Sequence, residues 1–246
     1  MTVPQTLDRE FLEWLRSRTE ESWANLPQLP SDGWQPGTRW AKPLSEAEIS
    51  EIENKWGLSF PPDYRLFLNV LHTTDRPPLA RKWVGGLMRL IKGSSELVEG
   101  VGFHDWRSND DVVRERLEWP LSGLEFDIDH NALWLNEWGD KPSSVALQKQ
   151  KLREEFLKAP KVIPVFGHRY LLSDPCEAGN PVLSIYQADI ITYGLSLRGY
   201  LLNELSSSVR LTNEELEKER DSQTEKISLS RIPFWGPVSG EERASA

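Results

Sequence analysis

The stretch GLEFDIDHNALWLNEWGDKP (123–142) holds Asp127, Asp129 and Asn131 at the D-x-D-x-N spacing that opens a calcium loop. Such a loop also needs glycine at its sixth position, for a sharp backbone turn, and a bidentate glutamate at its twelfth. Counted from Asp127, those positions hold Ala132 and Trp138, so the calcium reading fails. A mononuclear zinc site can be drawn from His104, Asp105, His130 and His168, but only if separate segments converge. No H-E-x-x-H or H-x-H spacing supports it, and isolated histidines are more often structural. FHDW (103–106) pairs His104 with Asp105, yet no G-x-S-x-G elbow supplies a serine nucleophile. Cys176 sits in the turn-rich SDPCEAGNP without a base beside it. Neither common glycine-rich phosphate loop is present. These residues assign no catalytic group, metal or cofactor.

Two further strings look specialised, GHRYL (167–171) and AGNPVLSIYQADIITYG (178–194). Arg169 in the first would pair with a carboxylate such as Asp127 or Asp189. Buried pairs of this kind are more often structural than catalytic.

The elements that must position these residues begin with a helix from about Leu7 into the low twenties, where Leu7, Phe11, Trp14 and Leu15 follow helical spacing. A Pro/Gly-rich arm follows (26–43), and Trp34 and Trp40 within it suggest that it packs down on the domain. Ser45-x-x-Glu48 is a capping box opening a helix that carries Ile49, Ile52 and Trp56 on one face and stops at Gly57. A second helix begins at the prolines of LSFPPDYRLFLNVL, with Tyr64, Phe67, Leu68 and Leu71 as its apolar stripe.

From about residue 82 the pattern turns strand-like, near 83–91, 123–128, 132–138, 162–171, 182–186 and 190–193. Helices are expected at about 144–157 and 197–206. Several strands lie too close together for crossover helices. The expected fold is therefore α+β, a mainly antiparallel, twisted mixed sheet with helices packed around it, an N-terminal helical segment and a short C-terminal extension. In this scheme DIDHN is a hairpin tip. Leu124, Phe126 and Ile128 face the core, and Glu125, Asp127 and Asp129 face the other way. The tail opens on a second capping box, Thr212-x-x-Glu215, and Ile227, Leu229, Ile232, Phe234 and Trp235 are placed to dock back on the domain. The final GEERASA reads as disordered.

The 246 residues suffice for one large domain, or one with extensions. Eleven tryptophans should anchor the core, each needing a partner for its N–H. No apolar run approaches the roughly 18–20 residues that cross a bilayer. The N-terminus breaks its apolar run with Asp8, Arg9 and Glu10, unlike a signal peptide. A single cysteine excludes both an internal disulfide and a cysteine-based zinc cluster. These features imply a cytoplasmic protein. A net charge of −9 makes a phosphate backbone a poor partner and suits a basic one, although solubility explains the charge equally well.

The segment LSEAEISEIENKWGLSFPPDYRLFLNVLHTTD (44–75) resembles the signature of the Smi/Knr-like family of the SUKH superfamily. That pattern is a capped helix with an internal Glu, then Gly, then L-P-x-D-Y-x-x-F-L. Glu53, Gly57, Pro62, Asp63, Tyr64, Phe67 and Leu68 stand at those positions here. FDIDHNALWLNEWGDKP, VIPVFGHRYL and GNPVLSIYQADIITYG resemble strings of longer bacterial members, so the resemblance covers roughly 44–205. It departs where the family often has an Asn-Gly-Gly turn and this chain has HTTDRPP (72–78). The chain then divides into an N-terminal helix and arm (1–43), the Smi/Knr-like domain (44–205), and a charged helix and tail (206–246).

This resemblance implies a non-enzymatic α+β domain. Bacterial members commonly act as immunity proteins that neutralise a toxin, often a nuclease, and fungal relatives are cell-wall regulators working through protein contacts. The expected partner is a basic toxin domain, not nucleic acid or membrane, and the alternative is a regulatory or scaffold module without a toxin. Five carboxylates and no Lys or Arg lie between Gly123 and Asp140. Glu125, Asp127, Asp129, Glu137 and Asp140 are therefore the candidate partner contacts, against the plainer reading of a solvated sheet face. Trp106 or Trp138 would add hot spots if exposed, core packing being the other role for each. Oligomeric state is left open.

Overall fold

The computed structural model describes residues 3–26, 33–83, 95–221 and 226–240. Local signals start its first helices. Asp8 accepts from the Phe11 N–H at 2.9 Å and opens α1 (Arg9–Ala24). The capping box before α2 (Glu46–Trp56) closes in both directions: Ser45 N–H donates to Glu48 Oε2 at 2.8 Å, and Glu48 N–H to Ser45 Oγ at 3.3 Å. Gly57 ends α2 in the left-handed conformation at φ +60°, which costs a glycine little. Proline in the first turn of α3 (Pro62–Val70) gives up no helical hydrogen bond, and Tyr64, Phe67 and Leu68 are buried.

Strands β1 (Leu79–Trp83) and β2 (Ser95–Glu99) form a separate antiparallel ribbon. The strand expected at 83–91 overlaps β1 only at Trp83, and 84–91 lie outside the described residues. The main sheet contains β3 (Val162–Phe166), β4 (Arg169–Leu172), β5 (Val182–Tyr186) and β6 (Asp189–Gly194), antiparallel neighbours in chain order. The single strand expected at 162–171 is a hairpin, turned at Gly167 (φ +54°) and His168. The fold is α+β.

Register divides the sheet between two cores. Ile163, Leu171 and Val182 form one row, on the face packed with Phe11, Leu15, Tyr64, Phe67, Leu197 and Tyr200. Tyr170 and Leu183 point the other way, into a cluster with Leu124, Ile128, Leu152 and Trp235. Trp34 and Trp40 bring the N-terminal arm into the first core, where Trp40 meets Phe103 with ring centroids 5.0 Å apart. Leu229, Ile232 and Trp235 bring the tail into the second, and the Trp235 indole donates to Pro160 O at 2.8 Å. Helices α5 (Val145–Phe156), α6 (Leu197–Glu204), α7 (Ser206–Val209), α8 (Asn213–Asp221) and α9 (Trp235–Ser239) complete the chain. α8 starts at the Thr212–Glu215 box. Of GEERASA, 241–246 lie outside the described residues.

The acidic hairpin does not form. Residues Asp110–His130 are one helix, α4, and the expected return strand is a link containing a single 3-10 turn, Asn136–Trp138. The reason is periodicity over a longer span: Val113, Leu117, Pro120, Leu124 and Ile128 recur at steps of three and four, with Asn109 capping the Val112 N–H at 3.1 Å. Asp110 and Asp111 favour the positive helix start and His130 the end. The alternation of Leu124, Phe126 and Ile128 misleads, because Phe126 is 46% exposed while Asp127 is buried. Pro120 leaves the Arg116 carbonyl without its helical donor, and the Tyr170 hydroxyl takes that place at 2.9 Å. A helix interior proline, ordinarily unfavourable by about 3 kcal/mol, is tolerated where an outside donor repairs the gap.

Candidate functional site

The five acidic candidates separate in the structure. Asp127, only 3% exposed, accepts from the Ala188 N–H at 2.7 Å and from Asn131 Nδ2 at 2.6 Å, fastening α4 to the β5–β6 turn. With one oxygen held by Asn131 and the other by Ala188, its carboxylate serves the frame, although it lines a hollow beside the β5–β6 turn. Glu125 is paired with Arg153, and Asp129 with Lys149, both at 2.6 Å. Glu137 and Asp140 are exposed and form no ion pair among the described residues. The tryptophans weighed as hot spots, Trp106 and Trp138, are both buried.

The histidines do not converge. His104 lies 3.1 Å from Gly167 O, and Asp105 turns towards His72. His130 packs on Phe126 at the end of α4, and His168 accepts from Arg169. Among the described residues no group of three or more His, Cys, Asp or Glu side chains could hold a metal ion. Nor does Arg169 pair with Asp127 or Asp189. Its guanidinium donates to Ser184 Oγ at 2.9 Å and lies over the Tyr193 ring, 3.8 Å from the centroid. An aromatic face with a neutral acceptor has replaced the carboxylate.

Arg169, Ser184 and Ile191 form the next row along from Ile163, Leu171 and Val182, on the same face of the sheet. Here the roof of helices ends. Ile191 is 49% exposed, and Tyr186, two residues beyond Ser184, is 52% exposed. Trp119 of α4 meets Tyr186 with ring centroids 6.3 Å apart, and His168 meets it edge-on at 5.8 Å. Beside this aromatic group lies a cleft of about 340 Å³, lined by Arg116, Trp119, His168, Arg169, Tyr186 and Glu204 among others. Burial pushes the Glu204 carboxyl up from its ordinary pKa and, with the Arg169 charge, pushes the His168 imidazole down. On the other side of Tyr186 a second hollow, of about 430 Å³, is lined by Asn131, Leu133, Gln187 and Asp189. Tyr186 is thus a ridge between two depressions.

Sequence reasoning singled out the strings containing Arg169, Tyr186 and Ile191, and missed Arg116, Trp119 and Glu204. The one available signal was the outward place of Tyr186 and Ile191 in their strands. The residues of the 44–75 signature serve the frame instead. Glu53 accepts from the Phe60 N–H at 2.6 Å and pairs with Arg65. Asp63 accepts from the N–H groups of Tyr64 and Gly179, each at 2.9 Å, and ties α3 to the β4–β5 connection. The Tyr64 hydroxyl donates to Pro164 O at 3.1 Å and accepts from the Trp106 indole at 2.9 Å.

Comparison with family models, with curated proteins and with solved structures finds no match to this chain. No helix among the described residues is long and apolar enough to cross a membrane.

Proposed function

We propose that this chain is a non-enzymatic protein-binding domain, a cytoplasmic immunity protein of the Smi/Knr-like kind that neutralises a cognate bacterial toxin, such as a nuclease, by covering it. The observation that carries this reading is the open end of the sheet. Tyr186, Ile191 and Trp119 present exposed and half-buried rings and branched carbons around a fixed arginine, on strands and a helix. Tyr, Trp and Arg are the residue types that dominate binding hot spots, and a rigid support lowers the entropy lost on association. The family resemblance supports the same reading, with its signature residues building the scaffold. Glu137 and Asp140, with the net charge of −9, would steer a basic partner without supplying the central contacts.

A growth assay tests it. The C-terminal domain encoded beside this gene is expressed alone and together with this chain. Rescue by the native chain, lost when Tyr186→Ala and Ile191→Asp are combined in a protein that still melts cooperatively, is the expected result. Rescue indifferent to both substitutions would remove the face from the proposal. A neighbour that is toxic but not rescued would favour the alternative, a regulatory or scaffold module without a toxin partner.

A further inference from the structure

The cleft beside Tyr186 contains two arginines that are not held by a carboxylate at hydrogen-bonding distance. Arg169 has no ion pair among the described residues, and its Nε–H is buried without an acceptor. It is fixed by Ser184, His168 and the Tyr193 ring, so little side-chain freedom remains to be lost on binding. Arg116, half-buried, has one ion pair among the described residues, with its chain neighbour Glu115 at 3.8 Å. The lining itself has two formal positive charges and one negative, Glu204, with Glu115 outside it beside Arg116, so at most one positive charge is in excess there, in a chain whose net charge is −9. A singly charged anion would balance that excess. A phosphate dianion would overshoot it and place two charges near Glu204 in a partly dry wall. Guanidinium forks match the planar geometry of a carboxylate, and Trp119, Phe166 and Tyr186 offer flat apolar surfaces beside them.

We infer that this cleft binds a carboxylate carried on a flat apolar body, the acid group held between Arg169 and Arg116 and the body laid against Trp119 and Tyr186. At about 340 Å³ the cleft takes a group the size of one amino-acid residue or a small aromatic acid. Two sources share this chemistry: a free aromatic acid, or the terminal carboxylate of a docked polypeptide. The second source rests on the docking reading above and the first does not.

Calorimetric titration of the full chain with benzoate tests the inference, with benzyl alcohol as the same body lacking the acid. Saturable benzoate binding is expected, with benzyl alcohol at least about tenfold weaker and Arg169→Gln weakening benzoate by about tenfold or more. Because Arg169→Gln could loosen the sheet, Glu204→Gln is the second variant. It removes a like charge and is expected to tighten benzoate severalfold, which a merely structural glutamate would not do. No saturation by about 10 mM, equal binding of benzyl alcohol, or weaker binding by Glu204→Gln would each overturn the inference. The dipeptide Gly-Phe, with its C-terminus free or amidated, separates the sources. Tighter binding of the free dipeptide than of benzoate, lost on amidation, points to a polypeptide terminus, and the reverse order points to a free acid. The docking reading is judged by the Tyr186 and Ile191 rescue assay, so its failure with benzoate binding intact would leave a small-molecule site.

Discussion

The two ends of the main sheet are made from the same strands and share one face, yet they end in different environments. At one end Ile163, Leu171 and Val182 lie wholly inside the first core. One row further, Ser184 is still buried, Arg169 is half-buried and Ile191 reaches the surface. Strand alternation fixes which face a residue points to, but the extent of the covering helices decides which rows become core. A sheet that is rigid because half of it is packed can present the other half with little motion. The largest effect expected from this contrast is on stability. Leu171→Ala should lower unfolding free energy by about 2–5 kcal/mol, whereas Ile191→Ala should cost under about 1 kcal/mol. Urea midpoints at unchanged slope measure both. Similar losses at the two positions would mean that the open row is covered after all.

The acidic run on and after α4 sharpens the same distinction between structural and surface groups. Asp127→Ala strands the Ala188 N–H and should lower stability by about 1–3 kcal/mol. Substituting alanine for Asp129 or Glu125, whose pairs with Lys149 and Arg153 sit at the surface, should change it by about 0–1 kcal/mol. Glu137→Lys and Asp140→Lys should stay within about 0.5 kcal/mol. Denaturation of the five variants under one buffer gives the order, and an Asp127 variant as stable as the native chain would undo the assignment of that carboxylate to the frame.

What was legible in the sequence was local. Ser45 and Glu48 announce α2 because both partners of the capping box lie within one turn, and Gly57 and Pro62 punctuate the chain for backbone reasons that need no tertiary context. Strands β5 and β6 were legible from their apolar runs and the turn residues beside them. α4 was not, because a six-residue window around Asp127 alternates like a strand, and only the steps from Val113 to Ile128 reveal the helix. The cleft was illegible for a different reason. Its residues come from α4, the β3–β4 turn, the end of β5 and α6, and no spacing in the chain relates Arg116 to Glu204. Charge alone suggested a carboxylate partner for Arg169, while packing supplied the Tyr193 ring.

The boundary between the closed and open ends gives the last and smallest prediction. The segment around Phe103 and His104 covers the outer edge of β3, with His104 N–H donating to Val165 O at 3.1 Å. The His104 ring is within hydrogen-bond distance of Gly167 O, where the turn into the open end begins. Burial, with a smaller contribution from the Arg116 charge, lowers its pKa from 6.5 to about 4. A histidine whose folded pKa is depressed takes up its proton first in the unfolded chain. Its effect is therefore absent above about pH 7, grows as pH falls from 6.5 towards 4, and levels off below that. Between pH 7 and pH 5, discounted for the part of the ring that remains in water, the loss should be about 1 kcal/mol. His104→Asn retains a donor for Gly167 O and removes the titration, so it should flatten that part of the acid slope. His72, also depressed by burial, contributes a separate part that the substitution leaves in place. An unchanged slope in His104→Asn would mean that the segment over β3 opens too readily for its histidine to be held neutral, and the boundary between the two ends would then be softer than the hydrogen bonds across it imply.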